Sequence, residues 1–201
     1  MKERVPSRWI PILLMVGAAC WRVATVTSVH WANFSPLMAL AFCGGVYFRR
    51  GPMWLVPFLA LAASDLWIDR YYATAYHYLF GIGGIALRLV CFAAGLLIGW
   101  MVSFRPRPIN LLSGILGSSL LFYFVTNTAA WKSDPAQGYA PTLGGWWQAL
   151  TVGLPQFPPT IFFFRNTLLS DLLFTGVFAA LVKSAAWVPA ARKAVPSRSA
   201  S

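Results

Sequence analysis

Acidic side chains are scarce in this sequence: five Asp and Glu stand against sixteen Lys and Arg in 201 residues, and charge of both signs amounts to 10%. A soluble domain of this size usually carries about 25% charged residues. With 58% hydrophobic residues and a mean hydropathy of +0.63, the composition excludes an ordinary soluble globular domain and implies one integral membrane domain. Cysteine is also sparse. Cys20, Cys43 and Cys91 all lie inside apolar runs, where thiols act as small packing residues, so neither a disulfide framework nor a metal cluster is expected. His30 and His77 fall in separate connecting segments without metal-ligand spacing. There is no glycine-rich phosphate loop ending in Gly-Lys-Ser/Thr, so any use of ATP must come from another subunit. Gly81, Gly83 and Ala86 match a dinucleotide-site spacing, but no strand precedes them and they sit in an apolar helix; no cofactor is expected. The net charge of +11 does not mark a nucleic-acid binder, because the basic residues occur in small clusters between apolar runs, the pattern that orients membrane helices.

What the sequence does have is apolar runs of spanning length. They predict six transmembrane helices at about 9–28, 35–48, 53–68, 78–102, 109–127 and 162–183, an all-α bundle with a long outer loop at 129–160. The second run is short, and Pro36 suits its first turn. The start resembles a signal peptide, but Gly17 is a poor residue three before Cys20 and the apolar run continues toward Val29, so an uncleaved first helix is expected. Lys2, Arg4, Arg8, Arg49, Arg50, Arg105, Arg107, Lys183, Arg192, Lys193 and Arg198 fall on one side of this arrangement, and only Arg70 and Lys132 on the other. The positive-inside rule then puts both termini in the cytoplasm of an inner-membrane, multi-pass protein. The tail 189–201 reads as a disordered basic cytoplasmic end. In the outer loop, Trp146, Trp147 and Leu150 are placed to lay a short helix along the bilayer interface, as an aromatic anchor or a lid.

The polar residues inside the spans are the functional candidates. Arg22, Asp65, Arg88, Arg165 and Asp171 are charged, and an ionised group near the bilayer centre costs at least about 2–3 kcal/mol. Thr167, Asp171 and Thr175 recur at i, i+4, i+8 and form one stripe that must look inward, onto a partner or a ligand. Asn33, Asn127 and Asn166 add hydrogen-bonding groups near the outer ends. Two readings stay open. In one, Arg88 pairs with Asp171, Arg22 pairs with Asp65, and Arg165 reaches for the headgroups. In the other, three arginines against two aspartates leave one positive charge for a carboxylate or phosphate, with Arg88 and Asp171 bordering the ligand. Small residues at packing spacing, Ala41 and Gly45, Ala60 and Ser64, Gly95 and Gly99, Ser113 and Gly117, predict close helix contacts. On the fourth helix Gly81, Gly84, Arg88, Cys91, Gly95 and Gly99 share a face expected to be internal.

The blocks NFSPLMALAFCGGVYF from Asn33, LVPFLALAASDLW from Leu55, LFYFVTNTAAW from Leu121, YAPTLGGWW from Tyr139 and FFFRNTLLSDLLF from Phe162 resemble an uncharacterised bacterial membrane family. That family is similar to the substrate-binding S components of energy-coupling-factor (ECF) transporters. The resemblance implies an S-component-like bundle that captures a small polar or anionic micronutrient from outside and associates with a membrane scaffold and ATPases, with Gly17, Ala18, Ala41 and Gly45 as candidate docking positions. It implies no enzymatic activity, and the residues form no nucleophile–base arrangement beyond Ser64 beside Asp65. A structural or assembly protein without a small-molecule ligand, and a lipid-acting membrane enzyme, remain the alternatives.

Overall fold

The computed structural model describes residues 9–26, 31, 34–48, 55–75, 77, 81–133, 138–155 and 158–185. Among these the chain forms seven α-helices and no strand: α1 (Trp9–Thr25), α2 (Leu37–Tyr47), α3 (Leu55–Ala75), α4 (Ile82–Val102), α5 (Pro108–Ser133), α6 (Leu143–Leu150) and α7 (Thr160–Ala185). The expected loop at His30, the basic pair Arg49 and Arg50, and the tail 189–201 lie outside the described residues.

Among the described residues three helices are long and apolar enough to cross a membrane: Ile82–Val102, Pro108–Lys132 and Thr160–Ser184. They turn large apolar side chains outward, among them Ile82, Val90, Leu97, Ile109, Leu169 and Leu173. Water does not tolerate so broad an apolar surface, whereas lipid does, and these helices mark a membrane protein.

The centre of the bundle is α2. Its sequence LMALAFCGGVY contains no charge and, before Tyr47, no polar side chain beyond the weakly bonding thiol of Cys43, so it can be buried on every face, and every residue from Leu37 to Val46 is buried. It packs most extensively against α4 and also touches α1, α3, α5 and α7. The α2–α4 contact is made by glycine, as the small-residue spacing predicts. A Cβ on Gly45 would run into the carbonyl oxygen of Leu96, and one on Gly99 into that of Phe42. Only hydrogen at both positions lets the two backbones approach this closely. By contrast Gly81, Gly84 and Gly117 face open space, so the glycine face of α4 is internal only from Cys91 onward.

The structure revises three boundaries. Eleven residues at about 1.5 Å each give α2 a length of roughly 16 Å, half of a bilayer core, and Pro36 is its N-cap rather than part of its first turn. The third helix runs on to Ala75, because Asp69 and Arg70, which read as loop residues, are carried on helical backbone. The fifth helix extends to Ser133. The outer loop does contain a short helix, α6, started by Thr142, whose hydroxyl accepts the Gly145 N–H at 3.2 Å. Its three named residues differ in exposure: Leu150 is buried, Trp146, one turn before it, is half-buried, and Trp147 is exposed.

Candidate functional site

Two polar clusters occupy the bundle, on different sets of helices. The first joins α1, α3 and α4. Arg22, in the last turn of α1 where a cation suits the helix dipole, is buried and reaches Asp65 Oδ1 at 2.5 Å and Ser64 Oγ at 2.6 Å. Asp65 also faces Arg88 Nε at 3.7 Å, and Arg88 Nη2 donates to both oxygens of Asp69 at 2.8 and 3.1 Å. Asp65 and Asp69 are one turn apart on α3, so a single helix face presents both carboxylates to both guanidiniums. Asp69 was not among the residues singled out from the sequence; its i, i+4 relation to Asp65 was the available signal. The Ser64 hydroxyl donates to the Leu61 carbonyl at 2.9 Å and accepts from Arg22, so it is held by structure rather than activated by a base.

The Arg22–Asp65 pair therefore stands, while the expected Arg88–Asp171 pair does not: Arg88 is taken by α3. Two arginines meet two aspartates here, and the surplus positive charge inferred for an anionic ligand disappears once Asp69 is counted. The remaining arginine, Arg165, is exposed on α7, its guanidinium carbon 5.2 Å from the centroid of the Phe162 ring one turn earlier. Asn166 is half-buried and lines no described cavity, and Asn33 lies outside the described residues.

The second cluster is built around Asp171, which is wholly buried on α7. Its carboxylate accepts the backbone N–H of Ala39 at 2.9 Å and the hydroxyl of Ser119 at 2.7 Å, and the Met38 N–H also points to it. Met38 and Ala39 are the second and third residues of α2, whose N-cap, Pro36, has no side chain able to accept. Asp171 thus caps α2 from another helix, satisfying amide groups that a helix start leaves unpaired and placing negative charge at the positive end of the dipole. One turn on, Cys43 Sγ lies 3.8 Å from Thr175 Oγ1. The Thr167–Asp171–Thr175 stripe does look inward, and what it meets is the end of a helix.

Ser119 links this buried cap to a cavity of about 310 Å³ between α5 and α7. The α5 wall presents Ser119, Phe122, Tyr123, Thr126 and Asn127, and the α7 wall presents Thr160, Phe163, Phe164 and Thr167. Both are i, i+3/i+4, i+7 stripes with hydroxyls at the ends and an aromatic pair between them. Tyr123 stacks on Phe164 with ring centroids 4.2 Å apart. Tyr139, Gly153, Leu154 and Pro158 roof the space. This roof is fixed to α5: Tyr123 donates its hydroxyl to the Leu150 carbonyl, Trp146 Nε1 to Thr128 at 2.9 Å, and Trp131 Nε1 to the Ala140 carbonyl at 2.9 Å. Gly153 turns the chain back toward α7 with a φ of +74°, a conformation that glycine adopts without strain. Burial pushes the Tyr139 phenol above its ordinary range, so it remains protonated at neutral pH. Of the seven sequence-proposed residues that are described, Asn127 alone lines this cavity, and Asp171 supports its floor through Ser119.

A smaller apolar cleft of about 150 Å³ lies between α1, α2 and α7 and includes Gly17 and Ala18. The other two positions suggested for scaffold docking, Ala41 and Gly45, are buried, and Gly45 lies against α4.

Residues 2–194 match a protein-family model. The chain belongs to DUF6580, a family of unknown function. No curated protein and no solved structure matches this DUF6580 chain.

Proposed function

We propose that this protein is a multi-pass inner-membrane subunit that captures a small polar molecule in the α5–α7 cavity for uptake, with energy supplied by separate ATPase subunits. The observation that carries the reading is the cavity itself: its volume, about 310 Å³, falls in the range of small-molecule sites, and it combines an aromatic band with a few convergent polar groups under a hydrogen-bonded roof. In this reading α1 and α3, with 17 and 21 residues, cross the bilayer beside α4, α5 and α7, and the half-length α2 completes a six-segment, S-component-like bundle with cytoplasmic termini. The likeness to S components rests on sequence pattern and on the one-sided distribution of Lys and Arg.

A second reading, a structural or assembly protein, is favoured by the internal neutralisation of the α1–α3–α4 charges, which leaves no ionic demand for a ligand there. Native mass spectrometry of the protein gently released from its own membrane separates the two. Substrate capture predicts a stoichiometric small-molecule adduct that disappears when Asn127→Trp fills the cavity, together with co-purifying ATPase subunits. A clean apo mass without such partners, repeated across growth media, moves the assignment to the structural role.

A further inference from the structure

This inference rests on reading the α5–α7 cavity as a ligand site, and it concerns what the walls can still bond. Carboxylates and carbonyls only accept hydrogen bonds, so a hydroxyl or amide nitrogen facing one must donate. Ser119 gives its proton to Asp171 at 2.7 Å, Thr126 to the Phe122 carbonyl at 2.7 Å, and Asn127 an amide proton to the Tyr123 carbonyl at 2.8 Å. The Tyr123 hydroxyl is directed to the Leu150 carbonyl. For an occupant Ser119 and Thr126 retain oxygen lone pairs, and Asn127 retains its carbonyl oxygen and one amide proton. Tyr139 and Thr160 can turn their hydroxyls either way, and no described lining residue carries a charge.

We propose that the cavity selects an uncharged, ring-containing molecule that presents N–H or O–H donors to Ser119, Thr126 and Asn127 and lays its ring against the aromatic band of Tyr123 and Phe164. An anion would bring acceptors to the lone pairs of Ser119 and Thr126 and would find only neutral donors, the second Asn127 amide proton and the Tyr139 and Thr160 hydroxyls, with no cation among the described lining residues. A cation would find no carboxylate at the surface, because Asp171 lies behind Ser119 with its oxygens already holding the Ala39 N–H and the Ser119 hydroxyl. Either ion would give up hydration without meeting an opposite charge. The anionic ligand expected from the arginine count is therefore disfavoured by the site the fold actually builds.

Three probes of one shape and different charge test this: indole-3-acetamide, indole-3-acetate and tryptamine, measured by equilibrium dialysis at neutral pH against the full chain in detergent. The neutral amide is expected to bind about tenfold or more tighter than either ion, the difference made by one or two hydrogen bonds in a buried site. Thr126→Val and Asn127→Leu should each weaken amide binding by roughly three- to tenfold. If the acetate or tryptamine binds best, the donor-ligand inference is overturned while the cavity stands as a ligand site. If all three bind equally and are indifferent to both substitutions, they are partitioning into micelle or apolar surface, and the inference is overturned. Failure of all three to bind the wild-type protein overturns the inference together with the reading of this cavity as a ligand site. The comparison of probes on the wild-type protein stands even where a variant fails to fold.

Discussion

Replacing Asp171 distinguishes a carboxylate kept for the fold from one kept for a ligand. Asp171→Ala strands the Ala39 N–H, the Met38 N–H and the Ser119 hydroxyl at a position with 0% exposure, where water cannot substitute. A buried donor left unpaired costs about 1–3 kcal/mol, and polar pairs inside membrane bundles average nearer 0.6, so three donors and the emptied volume sum to about 2–5 kcal/mol. Asp171→Asn keeps the shape. Its carbonyl can accept from Ala39, and its amide can donate to Ser119 once that hydroxyl rotates. The variant loses attraction to the α2 dipole but also sheds the desolvation cost of a buried charge, so it should lie within about 1 kcal/mol of wild type. Unfolding in mixed micelles, followed by helicity, should rank wild type and Asp171→Asn together and Asp171→Ala well below, and amide exchange at Ala39 should accelerate in the alanine variant alone. An Asp171→Ala protein as stable as wild type, with the Ala39 amide still protected, would refute the capping role.

Three further outcomes follow from the packing and the ion network. Gly99→Val drives a side chain into the Phe42 carbonyl, which is backbone and cannot rotate away, and should cost about 2–3 kcal/mol or more, whereas Gly117→Ala, facing open space, should stay within about 0.5 kcal/mol; thermal denaturation of the pair checks this. Arg88→Ala leaves Asp69 without its bidentate partner, and because both side chains keep some solvent access, 16% and 22%, the loss should be about 1–3 kcal/mol, with an Arg88/Asp69 double-mutant cycle returning a favourable coupling. Tyr123→Phe removes the donor to the Leu150 carbonyl and should loosen α6 locally, raising amide exchange across Leu143–Leu150 at a global cost of about 1 kcal/mol.

The long helices were legible because each is apolar through most of its length, and length with apolarity is all that spanning demands. The misjudged end of α3 has a physical cause: Asp69 and Arg70 look like loop residues until Arg88 arrives from another helix to neutralise Asp69. Asp171 was recognised as needing a partner, but beside the Ser119 hydroxyl its partners are the backbone N–H groups of Met38 and Ala39, which no residue letter encodes. A search for charges also passed over the cavity, whose walls are serine, threonine, asparagine and aromatic residues. Those two stripes, Ser119, Tyr123, Thr126 on α5 and Thr160, Phe164, Thr167 on α7, were present in the sequence at helical spacing, yet hydroxyls in membrane helices usually bond their own backbone, as Thr126 and Thr167 do, so the pattern alone does not announce a site.

The capping of α2 by α7 also bears on how the chain is made. The two groups joined in that bond are 132 positions apart, and the acceptor arrives on α7, the last of the described helices. Until it does, the first turn of α2 has unpaired amides and only half the length needed to cross lipid alone. The segment at the heart of the bundle is thus completed by a helix synthesised well after it, and a chain halted before residue 160 would hold α2 without the bond that closes its start.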